Sequence, residues 1–234
     1  MQMSSIATPG TLILAKLNYH RPVVLTVHSL EPLRPWKREQ LGHGYDCSTW
    51  LEKTATEMAD AVVAVSEETK RDILRLFNVD PARVRIIYNG IDPEEYHPRK
   101  PQDLLPKNGI DPNKPYILFV GRIARQKGII HLVNAIKYMN SGFQVVLCAG
   151  APDTPEIADE MKRAVAEAQS TREGVIWIEQ MVMKEVVYQL YSPAAVFCCP
   201  SIYEPFGLLI SKRWPAKPPL WVSRRRNQRG RCRW

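Results

Sequence analysis

The chain has 234 residues, room for about one or two domains at roughly 100–200 residues each. Hydrophobic residues make up 45% of it, enough for sizeable cores, which excludes a wholly disordered protein; no apolar run reaches the ~18 residues of a membrane span. The net charge of +8 is uneven: nine of the 32 basic residues and no acid lie between Ser211 and Trp234, leaving 23 basic against 24 acidic residues before that point.

Met1–Gly10 is polar and lacks the basic-then-apolar pattern of a signal peptide, so a cytoplasmic protein without a membrane partner is expected. The elements then alternate. Apolar, β-branched runs at Val23–Val27, Ala61–Val65 and Val84–Ile87 predict three strands, and four more are predicted at Tyr116–Val120, Val145–Cys148, Val175–Ile178 and Ala195–Cys198. Continuous rather than alternating apolarity predicts strands covered on both faces, as in parallel sheets. Helices are predicted at Ser48–Met58, after an N-cap at Ser66, at Gly128–Met139, at Pro155–Ala168 and at Lys184–Tyr191. The class is therefore α/β, with right-handed crossovers. Six prolines between Asp92 and Pro115 break the rhythm and mark a linker. The expected organisation is a first unit over 1–98, a linker over 99–115, a second unit over 116–210 and a basic tail over 211–234. Both units are small for doubly wound sheets.

Five cysteines (Cys47, Cys148, Cys198, Cys199, Cys232) lack metal-ligand spacing, and no metal site is expected. Cys148, Cys198 and Cys199 sit in apolar runs, as buried reduced thiols do.

Four strings hold the polar chemistry. His28 to Lys37 follows a strand, where open α/β sheets bind ligands, although a histidine there also serves simply as a strand cap. Gly121-Arg122-Ile123-Ala124-Arg125-Gln126-Lys127-Gly128 joins a strand to a helix. Cations there, with glycines that let backbone approach, suit a phosphate; the bland alternative is a solvated basic loop. No Gly-Lys-Ser/Thr is present, so this is not a Walker A loop. Pro200-Ser201-Ile202-Tyr203-Glu204-Pro205-Phe206-Gly207-Leu208 places a carboxylate at a strand end. The amides of Gly207 and Leu208 are candidates for a phosphate and Glu204 for a sugar hydroxyl, unless Glu204 only caps a helix. Tyr88-Asn89-Gly90-Ile91-Asp92 reads as a turn with positive φ, mainly structural.

Together these strings resemble retaining glycosyltransferases of the two-Rossmann-domain GT-B type. The string from His28 through Gln40-Leu41-Gly42 to Gly44-Tyr45, with Trp50 and Glu52, is most similar to bacterial and archaeal glycogen synthases of the short, actinobacterial-like kind. Val65-Ser66, Asn89 to Asp92, Val120-Gly121-Arg122 with Lys127-Gly128, Cys148 to Pro155 and Glu204-Pro205-Phe206-Gly207 also match, over about residues 8 to 210. The resemblance implies two incomplete Rossmann-like domains. It also implies transfer of glucose from ADP-glucose or UDP-glucose to an α-1,4-glucan acceptor with retention, and no cofactor beyond that donor. It makes Arg122 and Lys127 the diphosphate-binding pair and Glu204 the first acid of a Glu-x7-Glu motif. It puts Gly121, Phe206, Gly207 and Leu208 at the donor and His28 beside the transferred sugar.

Two departures lead to the expectation that the chain is a fragment without activity of its own. The family's opening strand and glycine-rich loop have no counterpart in Met1–Gly10, and Lys212 stands where the second acid of Glu-x7-Glu belongs. The tail is expected to be disordered and out of frame. Codons permitted for Ser211 to Trp221 read Leu-Glu-Ala-Met-Ala-Cys-Glu-Thr-Pro-Val-Val in a neighbouring frame, which restores a glutamate eight residues after Glu204. Other readings are a non-catalytic binding protein whose Arg/Trp-rich tail meets RNA or an anionic surface, and another transferase such as a sucrose-forming one. Nucleic acid is not the expected partner, because charge runs are mostly solvated.

Overall fold

The structure, a computed structural model, describes residues 9–19, 22–90, 104–180, 182–205 and 220–222. The chain divides into two compact units between Asn89 and Gly90.

The first unit opens with α1 (Pro9–Tyr19) and β1 (Val24–Val27). Two 3-10 turns (Glu31–Leu33, Pro35–Lys37), α2 (Arg38–Leu41) and α3 (Gly44–Met58) lead to β2 (Ala61–Ala64). α4 (Glu67–Leu76) then leads to β3 (Val84–Ile86). The strands form a parallel sheet in the order β1-β2-β3, with Val24 beside Ala61 and Val62 beside Val84. Val62, Ala64 and Val84 bury one face with Ile73 and Phe77 of the α4 segment. α4 starts where its sequence signals: Ser66 is extended and its Oγ accepts the Thr69 N–H at 3.0 Å. α1 and α2 were not foreseen. In α1, Leu12 is buried while Leu14 and Leu17 are exposed, so its apolar residues mark no single face and give no helical period to read. Asp60 ties the unit's start together, accepting Lys16 Nζ at 2.5 Å and the Val23 N–H at 2.7 Å.

The second unit contains α5 (Leu104–Lys107), β4 (Tyr116–Arg122), a 3-10 turn (Arg125–Lys127), α6 (Ile129–Ala135), a second 3-10 turn (Ile136–Tyr138) and β5 (Gln144–Gly150). α7 (Pro155–Thr171), β6 (Val175–Ile178), α8 (Lys184–Tyr191), β7 (Val196–Cys199) and β8 (Leu220–Val222) complete it. Its sheet is parallel, in the order β6-β5-β4-β7-β8. Every residue of β5 is buried, and its side chains divide by parity as a strand's must. Val145, Leu147 and Ala149 face a core completed by α6 and α7; Val146 and Cys148 face one completed by Leu105, Leu190 and Tyr191. This is a three-layer, Rossmann-like α/β unit, as the continuous apolar runs predict.

Four expectations need correction. The segment expected as a linker belongs in part to the second unit: Leu105 and Ile110 are buried in its core, and Gln144 exchanges two hydrogen bonds with Asp111 at 2.9 Å. Its prolines break helices but leave apolar anchors between them. The helix expected over 128–139 is only the seven residues of α6 and a 3-10 turn. Disorder across 211–234 does not hold at Leu220–Val222, which pair with Phe197–Cys199 as β8; the rest of that tail lies outside the described residues. The positive φ expected at Asn89-Gly90 occurs instead at Gly109 (72°), after Asn108.

Candidate functional site

The sheet order of the second unit fixes where a site belongs. From β4 the chain goes to β5 and β6 on one side, then returns to the other side for β7 and β8. The order reverses between β4 and β7, and the loops leaving their carboxyl ends stand at the usual ligand position in open α/β sheets. The two strings that carry the cations and the carboxylate, 121–128 and 200–208, are those loops.

The two loops are joined by backbone. Gly128 has φ of 62°, and a Cβ built on it would lie 2.2 Å from the Pro200 carbonyl oxygen, so glycine is required both for its conformation and for the approach. The Ile202 N–H donates to the Gln126 carbonyl at 2.8 Å, and Gln126 Nε2 donates to the Tyr203 carbonyl at 3.0 Å. That lacing brings Lys127 Nζ to 2.8 Å from Glu204 Oε2, and Ser201 Oγ donates to the same oxygen at 3.0 Å. The Lys127 and Glu204 side chains are 17% and 10% exposed, so the pair is largely withdrawn from water and poorly screened. Glu204 is thus held by Lys127 and Ser201; the residues after it that it would cap lie outside the described ones.

Arg122, at the end of β4, is oriented differently. Its Nη1 donates to Asp153 Oδ1 at 2.6 Å; the guanidinium is 52% exposed while the Asp153 side chain is 10% exposed. Asp153 is held by its own N–H, which donates to the Ile123 carbonyl at 3.0 Å, and it directly precedes Thr154, the N-cap of α7. One nitrogen of Arg122 is engaged and the rest of its fork is left toward solvent, so the side chain is aimed without being used up. Gly121 is a strand residue of β4, in register with Ala149. α6 is only seven residues long, so no long helix dipole adds to these side chains, and Lys127 and Arg122 are each paired with a carboxylate.

His28, in the first unit, is exposed directly after β1. Phe206, Gly207 and Leu208 lie outside the described residues. Asp153, Gln126 and Ser201 lie within the strings named above but carry no individual assignment there; Asp153 and Gln126 act through contacts across 31 and 77 residues of chain, and Ser201 through Glu204 three residues on. Burial pushes the thiols of Cys148 and Cys198 up to about 11 and about 12, so neither offers a thiolate near neutrality. Among the described residues no group of three or more His, Cys, Asp or Glu is placed to hold a metal ion, and no helix is long and apolar enough to cross a membrane.

Residues 3–95 match the profile Glycosyltransferase Family 4, and residues 102–211 match Glycosyl transferases group 1. Each of the two stretches thus matches a glycosyltransferase family model. The α-maltose-1-phosphate synthase of Mycobacterium tuberculosis is 52% identical over 200 residues, covering 84% of this chain and 52% of that protein. Its counterpart in Mycolicibacterium smegmatis is 50% identical over the same shares. The chain thus spans about half the length of the curated relatives it matches. Among solved structures, sucrose-phosphate synthase from Thermosynechococcus elongatus has a TM-score of 0.76 at 24% identity, covering 91% of this chain and 53% of that one. The Anabaena protein HepE with UDP and glucose has a TM-score of 0.75 at 18% identity, covering 93% and 58%. These likenesses bear out the GT-B fold. The likeness to glycogen synthases is borne out only as glycosyltransferase, because relatives at 50–52% identity are named for α-maltose 1-phosphate.

Proposed function

We propose that these segments serve retaining glucosyl transfer from a nucleotide-activated glucose, ADP-glucose or UDP-glucose, to the 4-hydroxyl of a glucose unit. The observation that carries the reading is the Lys127–Glu204 pair at the switch point, with Arg122 aimed beside it. As the sugar–phosphate bond lengthens, charge accumulates on the diphosphate. Fixed cations in a poorly hydrated crevice then stabilise the departing group more than the ground state. Glu204 orients Lys127 and presents a carboxylate where a sugar hydroxyl of the donor would lie. His28 and the amides of Gly207 and Leu208 are assigned to the sugar and the phosphates on the resemblance described above.

The acceptor has two readings. An α-1,4-glucan end is the one implied by the likeness to glycogen synthases. A phosphorylated glucose, which would yield α-maltose 1-phosphate, is favoured by the names of the relatives at 50–52% identity. Turnover by this sequence is expected to be low, since Lys212 occupies the position of the motif's second acid. Calorimetric titration with ADP-glucose and UDP-glucose tests the donor half. Binding lost in the Arg122→Ala/Lys127→Ala double variant is expected, and equal binding by that variant overturns the assignment. Nucleoside diphosphate release above a Glu204→Ala control, with glycogen or with glucose 1-phosphate, discriminates the acceptors.

A further inference from the structure

The loop that carries His28 is held by contacts that the proposed chemistry does not use. Glu31, three residues on, has each of its polar groups engaged from a different place. Its N–H donates to Glu52 Oε2 on α3 at 2.7 Å, and its carbonyl accepts the Tyr45 hydroxyl at 2.7 Å. Its carboxylate accepts Lys37 Nζ at 2.6 and 2.8 Å and Arg34 Nη1 at 3.4 Å. Leu30 beside it is fully buried and Glu31 itself is 9% exposed. An amide hydrogen bond to a carboxylate is among the stronger kinds, and leaving such a buried donor unpaired costs its desolvation. Surface loops without such anchors open readily.

We infer that Glu52 is a positioning residue that, through the Glu31 amide, fixes the His28 loop in one conformation. The loop's order follows from these contacts alone; its use in transfer rests on the function proposed above.

The same geometry makes the order depend on pH. Burial pushes the Glu52 carboxyl up to about 7; the Glu31 N–H opposes this, the Glu31 carboxylate adds to it, and Lys37 and Arg34 oppose it. With the Tyr45 hydroxyl of α3, these are the charged and titratable groups around it. Ionised Glu52 is thus disfavoured in the closed arrangement relative to water, and opening of the loop releases that penalty. Protection of the loop should fall as pH rises through neutrality.

Amide hydrogen exchange on the full chain, corrected for intrinsic rates, tests this. Between pH 5.5 and 8.5, protection over residues 28–37 should fall by about tenfold or more, while the α4 amides hold theirs. Glu52→Gln keeps an uncharged acceptor for the Glu31 N–H, so it should retain protection and lose the pH dependence. Glu52→Leu should lose protection over 28–37 at every pH. A Leu variant as protected as the wild type, or a Gln variant with the wild-type pH dependence, overturns the inference. If the Leu variant also loses α4 protection, the pH profile of the Gln variant decides. None of these readouts needs donor or acceptor. Failed donor binding with the expected exchange pattern counts against the proposed function alone, and the reverse counts against Glu52 alone.

Discussion

The two units reach the same fold class from similar apolar runs, yet they differ in direction and depth. In the first, the described strands run β1-β2-β3 in one sense, and β1 exposes Val24 to 63%. In the second the order turns back at β4, and β5 is buried along its whole length between two helical layers. The reversal brings two loops to one crevice, and the covered sheet beneath gives those loops a rigid base. Polar residues at a strand end become a site when the topology sends a second loop toward them; His28 sits on a loop fixed instead by its own turn and by α3.

The sharpest break of this comparison is in the cores. Leu147→Ala should cost about 2–5 kcal/mol, as for other fully buried leucines, whereas Val24→Ala should stay within about 0.5 kcal/mol. Denaturant midpoints of the two variants measure the gap; equal shifts would mean that β1 is covered in solution. The ion pairs come next. Both substitutions leave a carboxylate that is 10% exposed, but Lys127 is itself 17% exposed and Arg122 52% exposed, so Lys127→Ala should cost about 3 kcal/mol and Arg122→Ala less. Thermal melts rank them, and the reverse ranking would place the withdrawn charge at Asp153 instead.

A further effect separates the units by pH. The folded state raises the Glu52 carboxyl from 4.5 to about 7, so it binds a proton more tightly than the unfolded chain does. That contribution is full below pH 4.5 and is lost as pH rises through about 7. Urea titrations followed at residues 28–37 should therefore show stability declining across this window, and Glu52→Gln should flatten the decline. The helix caps give the last comparison. Ser66→Ala should cost about 1 kcal/mol, and Thr154→Ala somewhat less because its bond to the Ile157 N–H is longer, 3.3 Å against 3.0 Å.

Much of this fold was legible because short apolar runs report covered strands directly. The run 175–178 is β6 at both bounds, and Ser66 and Thr154 announce their helices. α1 was illegible because its leucines point to more than one side, and β8 because Leu220–Val222 is a brief apolar stretch inside a basic, proline-containing tail. For the candidate site, residue type and position after a strand pointed to Arg122, Lys127 and Glu204, and the structure brings Lys127 and Glu204 together. The partners that orient them, Asp153 and Ser201, were hidden for different reasons. Asp153 reads as a helix start, and Ser201 reads as an ordinary loop residue until its hydroxyl is seen on Glu204. Pairings across 31 and 77 residues of chain leave no local pattern.

The close approach of Gly128 to Pro200 has a consequence for how such chains can be recombined. Backbone stands against backbone, and no side chain lies between them to absorb a change of length. The stretches 122–128 and 200–205 are therefore a matched pair of parts. A chimera that takes one from a relative must take the other from the same relative, and an insertion in either is tolerated only with a compensating change in its partner.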